Sequence, residues 1–459
     1  MQIGGSRPAR GNNAVRSLRW GAALCLLLLA PSLARAAETP VCHVGSYRLK
    51  DGSFVDIAPS DGATLRWRTF DGMTGALAKK SDTQWTSTYG WTGRPDGKTV
   101  RFSDCASGQI DFGGVQGRRI AFDVTDTHFT SHGVTLAGRL VLPKGNEAVP
   151  VVVLVHGSEH DSALTFYALQ RMLPAEGVGA FVFDKRGTGV SGGSYSQDFS
   201  LLADDDVAAM REARRLAGAR AGRVGYQGGS EGGWVETIAA NRAPVDFVIV
   251  CFGLAVTVIQ EDQEEVALEM REKGHSPAEI ADALDVARAA ETVIASGFTQ
   301  GFAEFDAMRA RYRTAPWYKD LHGDFTYALL PYSEAQMRAM APKFRWGTPF
   351  YYEPMPTLRA DRTPQLWILG SEDYEAPSAE TGKRIRSLIA EGKPFTLAIY
   401  PGAEHGMTLF ENGPHGERVD TRYAPGYFAM MRDFALYGHL RGSYGEAEIA
   451  GARQVRSRQ

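Results

Sequence analysis

The chain has 459 residues, 44% of them hydrophobic, with 50 basic against 53 acidic side chains and a formal net charge of −3. That near-neutral balance, without any basic patch, excludes the electrostatic footprint of a nucleic-acid-binding protein. The length suits one large domain and a smaller one.

The first 36 residues read as a signal peptide. Arg7, Arg10, Arg16 and Arg19 form a positive stretch, Ala22 to Ala30 is unbroken apolar sequence, and Ala34-Arg35-Ala36 is an A-x-A cleavage site. The apolar run is too short to span a bilayer, and no later stretch is long and apolar enough to do so. Cys25 follows Leu24 rather than a small residue, which argues against a lipid anchor. Cleavage after Ala36 and export, to a periplasm or to the medium, are expected. Removing residues 1–36 takes away five arginines and no acids, which leaves 45 basic against 53 acidic residues, a balance of −8.

Three cysteines remain. In an oxidising compartment Cys42 and Cys105 are expected to pair, the alternative being two free buried thiols. Cys251 falls on a buried strand pattern as an inert core thiol. No spacing resembles a zinc site.

Residues 37–117 are poor in helical periodicity. Asp51-Gly52, Asp61-Gly62, Asp71-Gly72 and Asp96-Gly97 separate short alternating runs, the pattern of a small antiparallel β domain built from hairpins. Trp85, Tyr89 and Trp91 fit core packing better than sugar or peptide binding. Residues 118–253 then alternate strands with helices. Val151 to Val155 reads as a central strand buried on both faces. Helices are expected over Ala163 to Glu176 and over Leu201 to Leu216, where Asp204-Asp205-Asp206 would complement the helix dipole. This alternation predicts an α/β fold with a mostly parallel sheet flanked by helices. It is interrupted over residues 254–362 by a helical cap insertion, with helices at Gln260 to Lys273, Pro277 to Ala295 and Phe302 to Arg313 and an aromatic-rich stretch after them. Residues 363–440 complete the sheet, and residues 441–459 read as a disordered tail.

The chemistry centres on Gly228-Gly229-Ser230-Glu231-Gly232. It matches G-x-S-x-G between a strand-like run and a helix-like run, the context of a nucleophile elbow. Gly189-Val190-Ser191-Gly192-Gly193 matches the same spelling, but a polar loop follows it and no elbow can form. A nucleophilic serine needs a base and an orienting acid. Asp373 follows the strand Gln365 to Leu369, and His405 follows the strand Thr396 to Tyr400. Loops at the carboxyl ends of parallel strands converge on one crevice, so both should meet Ser230. Glu372 or Glu375 remain alternatives to Asp373. The oxyanion hole should use the N–H of Glu231 and an N–H from His156-Gly157-Ser158-Glu159-His160, with Ser158 first and Glu159 second. That loop also spells H-x-x-E-H, but a zinc site of that kind needs both histidines on one helical face, and here the pair straddles a loop after a strand.

These residues together, with Asp184-Lys185-Arg186-Gly187-Thr188-Gly189-Val190-Ser191 and Pro354-Met355-Pro356-Thr357-Leu358, resemble the α/β-hydrolase superfamily, in its branch of exported bacterial esterases and serine aminopeptidase-like hydrolases. The resemblance covers about residues 119 to 440. It implies a serine nucleophile, a histidine base and an aspartate orienter, with no metal and no organic cofactor. It also implies a structural role for Asp184 and Arg186. A carboxylesterase acting on a small-molecule acyl ester is the first expectation. A peptidase releasing N-terminal residues is the alternative, with cap carboxylates such as Glu264, Glu265, Glu269 or Glu304 gripping an ammonium. A binding scaffold that kept the fold without catalysis is the third.

Overall fold

The computed structural model describes residues 41–60 and 64–451. The expected signal peptide and the Asp61-Gly62 turn lie outside the described residues.

The N-terminal β region is a closed barrel. Its strands are β1 (Gly45–Leu49), β2 (Phe54–Pro59), β3 (Leu65–Thr69), β4 (Thr74–Lys79), β5 (Gln84–Thr88), β6 (Pro95–Phe102), β7 (Gln109–Phe112) and β8 (Val115–Arg119). Each pairs antiparallel with the next, and β1 closes the ring on β8. Closure removes the edges that an open meander would leave unpaired. Alternate residues point inward, so Val55, Ile57, Trp67, Trp85, Val100 and Ile110 form a private core. Trp85 is therefore core. Trp91 instead leaves the barrel and packs edge-on against Tyr423 of the large domain, ring centroids 5.7 Å apart. Asp51-Gly52 and Asp71-Gly72 are turns, with Gly52 and Gly72 at φ 89° and 97°. Asp96-Gly97 differs from expectation and lies inside β6. A Cys42–Cys105 disulfide ties the start of the barrel to the β6–β7 connection, Cα to Cα 5.5 Å.

The large domain is one mixed sheet. Its strands are β9 (Phe122–Ser131), β10 (Val134–Pro143), β11 (Val149–Val155), β12 (Gly179–Phe183), β13 (Ala221–Gly229), β14 (Phe247–Cys251), β15 (Gln365–Gly370) and β16 (Phe395–Tyr400). A hairpin, β17 (Thr408–Asn412) and β18 (Arg418–Tyr423), stands apart, and β19 (Glu448–Gly451) joins the far edge. The order across the sheet is β19-β16-β15-β14-β13-β11-β12-β10-β9. From β12 to β16 all pairings are parallel, and the strands are buried on both faces, as their Val- and Ile-rich runs require.

Helices α1 (Ala163–Phe166), α2 (Leu169–Ala175), α3 (Phe199–Ala217) and α4 (Glu231–Arg242) lie among these strands. The single helix expected from Ala163 to Glu176 is broken at Tyr167, which adopts extended φ/ψ. Helix α3 starts two residues earlier than expected because Asp198 caps it, accepting from the N–H groups of Ser200 and Leu201. Asp204, Asp205 and Asp206 thus fall in its second turn and do not serve the helix dipole. Asp204 pairs with Arg242, Asp205 with Arg186, and Asp206 is buried.

Between β14 and β15 come α5 (Val258–Glu272), α6 (Pro277–Ala295), α7 (Phe302–Tyr312), α8 (Asp324–Leu329), α9 (Glu334–Met340) and α10 (Met355–Ala360). This insertion has its own core, including Val266, Val286, Phe305 and Trp317. Its first three helices fall where the periodicity puts them. The aromatic-rich stretch, in which no further helix was expected, adds three short ones. Helices α11 (Ser378–Ala390) and α12 (Tyr427–Tyr437) complete the flanking layers. Of the tail expected to be disordered over residues 441–459, residues 441–451 instead bury Tyr444 and pair β19 antiparallel with β16, and residues 452–459 lie outside the described residues. Among the described residues no helix is long and apolar enough to cross a membrane.

Candidate active site

Ser230 sits on the one-residue turn between β13 and α4, at φ 54° and ψ −126°. A non-glycine residue there is strained by about 1–3 kcal/mol and stays only where its surroundings hold it. The Ser230 N–H donates to the Cys251 carbonyl at 3.1 Å, pinning the turn to the neighbouring strand. The flanking glycines are steric requirements. A Cβ on Gly229 would meet the Phe252 ring at 2.3 Å, and one on Gly232 would meet the His156 carbonyl at 2.8 Å. Phe252 and Met407 also have positive φ, 40° and 63°. Three such residues therefore gather at the carboxyl ends of β13, β14 and β16.

Asp373 and His405 come from the loops after β15 and β16. Asp373 is 1% exposed, and both its oxygens face His405 Nδ1, at 3.0 and 3.1 Å. The N–H of Ala376 donates to Asp373 Oδ1 at 2.8 Å and fixes the carboxylate. The His405 ring stands edge-on to Phe252, centroids 4.8 Å apart. Phe252 thus lies between Gly229, next to the serine, and the imidazole. Among the described residues no hydrogen bond joins Ser230 Oγ to His405. Such bonds are often loose without substrate. What faces His405 Nε2 is Glu375, at 3.5 Å. Burial lowers the imidazole's pKa, but Asp373, Glu375 and Glu261 outweigh it and push it up to about 10.

The loop after β11 abuts the serine. A Cβ on Gly157 would lie 3.8 Å from Ser230 Cβ. Among the described residues the N–H groups of Ser158 and Glu231 have no protein acceptor, whereas that of Gly157 donates to Glu159 at 3.3 Å. Glu159 also accepts from the Tyr167 hydroxyl, and its carboxyl is held down to about 2: burial opposes this, but His156 and Tyr167 prevail. His156 Nδ1 lies 3.1 Å from Glu159, out of hydrogen-bonding alignment, while its Nε2 is 3.1 Å from both the Phe183 carbonyl and the Lys185 N–H. His156 and Glu159 are thus engaged with groups in and around the loop, and none of residues 156–160 lies on a helix.

The turn from Asp184 to Ser191 buttresses this loop. Asp184 Oδ1 accepts from Ser162 and the N–H of Leu164, and its Oδ2 from the N–H of Val190. Arg186 makes a bidentate pair with Asp205, both contacts 2.6 Å. Ser191 Oγ donates to the Asp184 carbonyl at 2.6 Å and accepts from the Ala137 N–H at 2.9 Å, so it is a fastener of the turn.

The cap carboxylates suggested by the sequence have other surroundings. Glu264 accepts from Gln260, Glu265 from the N–H of Asp324, Glu269 lies 3.9 Å from Lys273, and Glu304 is exposed. The insertion residue that senses His405 is Glu261, half-buried on α5. Its carboxyl is raised by burial and by Asp324, against the attraction of His405. Sequence reading missed Glu261, because its position on α5 carries no local signal.

Arg418 was missed too. It donates to the Glu372 carbonyl at 2.6 Å and to Glu404 at 2.7 Å, and pairs with Glu272 of α5 at 3.0 Å. Its guanidinium stacks over Tyr374, 3.6 Å from the ring centroid. One cation thereby joins the Asp373 loop, the His405 loop and the insertion. Behind the elbow, Glu236 of α4 is fully buried with neither carboxylate oxygen bonded to a side chain, and its pKa is raised well above the usual range by burial, then by Asp206.

The strand order, the mixed sheet and the strand–serine–helix turn at its centre are those of the α/β-hydrolase fold. No protein-family model matches the chain. Among solved structures, an acylaminoacyl peptidase of Pyrococcus horikoshii aligns at 16% identity and TM-score 0.42, over 84% of this chain and 57% of that one. The chain thus spans little more than half the length of that peptidase. An esterase of Pyrococcus furiosus aligns at 15% identity and TM-score 0.38, over 62% of this chain and 84% of its own. An esterase of Pyrobaculum calidifontis aligns at 16% identity and TM-score 0.39, over 62% and 78%.

Proposed function

We propose that the protein is an exported serine hydrolase that cleaves acyl esters through an acyl-enzyme. Ser230 is the nucleophile, His405 the general base and Asp373 its orienter. The N–H groups of Ser158 and Glu231 receive the oxyanion. The observation that carries this reading is the Asp373–His405 pair, 3.0 Å apart, presented beside the strained turn of Ser230. In this mechanism the Ser230 hydroxyl attacks the ester carbonyl as His405 takes its proton. Asp373 holds the imidazole by Nδ1 and stabilises the imidazolium that forms. His405 then returns the proton to the departing alcohol, and a water deprotonated by the same imidazole releases the acyl group. No step calls for a metal or an organic cofactor.

A second reading is favoured by one feature. Glu261 and Glu375 both act on His405, and neither has a basic side-chain partner other than His405 among the described residues. Such a surplus of negative charge suits a substrate carrying an ammonium, as an aminopeptidase requires.

The test is a side-by-side assay of the purified protein on a short-chain nitrophenyl ester and an aminoacyl nitroanilide, each with Ser230→Ala. Ester turnover that falls at least about 10³-fold in the variant is expected. Anilide turnover well above ester turnover would favour the second reading. Turnover untouched by Ser230→Ala would overturn both.

A further inference from the structure

Two N–H groups make an oxyanion hole only if their spacing and aim are fixed. Here they lie on separate segments, the loop after β11 and the first residue of α4. One side chain connects the two. Lys185 Nζ donates to the Gly157 carbonyl at 3.0 Å and pairs with the Glu231 carboxylate at 2.5 Å. The lysine and glutamate side chains are 3% and 5% exposed. Nζ also lies 4.7 Å from the centroid of the Tyr195 ring, whose hydroxyl donates to the Ser158 carbonyl at 2.6 Å.

The first contact has a direct consequence for Ser158. The Gly157 carbonyl and the Ser158 N–H belong to one trans peptide unit, in which they point in opposite directions. Drawing the carbonyl inward onto Lys185 turns the N–H outward, away from the interior. The second contact ties the same cation to the residue that supplies the other donor. Tyr195 fixes the next peptide along. Preorganised donors of this kind stabilise developing negative charge because they need no reorganisation when it appears.

We propose that Lys185 is the positioning residue of the oxyanion hole: it aims the Ser158 N–H and sets its distance from the Glu231 N–H. This rests on the reading of Ser230 as nucleophile. Lys185 does not touch the substrate; it acts through two backbone groups.

The experiment compares Lys185→Met, the charge-neutral double variant Lys185→Met/Glu231→Gln and Ser230→Ala with the parent full chain. Each is assayed on a nitrophenyl ester, titrated with a trifluoromethyl ketone, whose adduct with a serine mimics the oxyanion, and followed by thermal melting. Lys185→Met leaves a buried carboxylate without its cation, so it should melt early. The double variant leaves no orphaned charge and should melt close to the parent. In both, kcat should fall about 100-fold with KM nearly unchanged, and ketone affinity should weaken by a similar factor. A double variant that regained parental kcat along with its melting temperature would show a purely structural salt bridge and overturn the proposal, as would parental kcat in Lys185→Met. Loss of ester turnover in Ser230→Ala keeps either result specific to Lys185. Turnover retained there would remove the serine reading itself, and the proposal with it.

Discussion

Charge and burial set the pH at which His405 can accept a proton. Burial disfavours the imidazolium, yet Asp373, Glu375 and Glu261 overcome it and raise the pKa to about 10. A base must be neutral to act, so activity should rise as pH passes upward through that value and be limited on the acid side. Glu375, 3.5 Å from Nε2, is the removable part of this field. Removing an anion beside a cation lowers the cation's pKa. Glu375→Gln should therefore move the acid limb of kcat/KM to lower pH while high-pH turnover survives. Asp373→Asn should cost about 10³–10⁴-fold even where the imidazole is neutral. Profiles of both variants from pH 5 to about pH 11 decide between the two carboxylates. If Glu375→Gln abolished turnover throughout and Asp373→Asn did not, the orienter would be Glu375.

At the scale of elements, the hairpin β17–β18 matters most, because it begins just after His405 and contacts the barrel, the Asp373 and His405 loops and α5. Thr408 Oγ1 donates to Asp420 across the hairpin, at 2.9 Å. The barrel holds the outer side: the Trp91 N–H donates to the Asp420 carbonyl, the Tyr423 N–H to the Gly72 carbonyl, and Arg68 to the Tyr423 hydroxyl. Arg418 holds the inner side through Glu372 and Glu404, on the two loops that carry Asp373 and His405. Arg418→Met should loosen both loops together and leave Glu404 without its cation. Because small misplacements of reacting groups cost heavily, kcat should fall about 10–100-fold. An ester assay beside a melting curve checks this, and unchanged kcat would show that the loops hold without the arginine. In the sequence Arg418 is one charge among several, thirteen residues after His405 and next to Glu417, with nothing to mark it.

For the molecule as a whole, the barrel has its own core and is joined to the sheet domain through that hairpin, through Phe70 stacked on Phe428 of α12, and through α2, where Arg171 forks onto the buried Asp56, at 2.8 and 2.9 Å. A cavity of about 550 Å³ opens beside Trp67, Phe54, Phe70 and Arg48, and it shares no lining residue with the serine site. The disulfide Cys42–Cys105 spans 63 residues and should stabilise the barrel by about 4 kcal/mol in the chain-entropy account. Reduction should therefore lower the barrel's melting transition more than that of the sheet domain. Melting with and without reductant, followed by tryptophan fluorescence, tests this, since Trp67 and Trp85 report on the barrel core. A single transition unmoved by reductant would count against it.

Elements whose signal is local and repeated can be read from the residues alone. Val151 to Val155 and Val248 to Cys251 read as buried strands because the apolar runs are short and rich in β-branched residues. The Ser230 turn was legible because glycines on both sides leave a strained serine between a strand and a helix. Asp373 and His405 were legible because chain order and strand ends carry them to one edge. Features that depend on meetings between distant segments emerge in the assembled fold. The closure of β1 on β8 needs a register that no local pattern encodes. The run Asp204-Asp205-Asp206 looked like a dipole-facing helix start, yet its members face a surface arginine, a buried arginine and the interior, because Asp198 starts the helix earlier. Residues 441–451 looked unstructured, yet Glu448–Gly451 found the open edge of β16. Lys185, Glu261 and Arg418 likewise owe their places to neighbours contributed from elsewhere in the chain. Local propensity and periodicity are properties of a window of residues, whereas buried charge pairing is a property of the assembled fold.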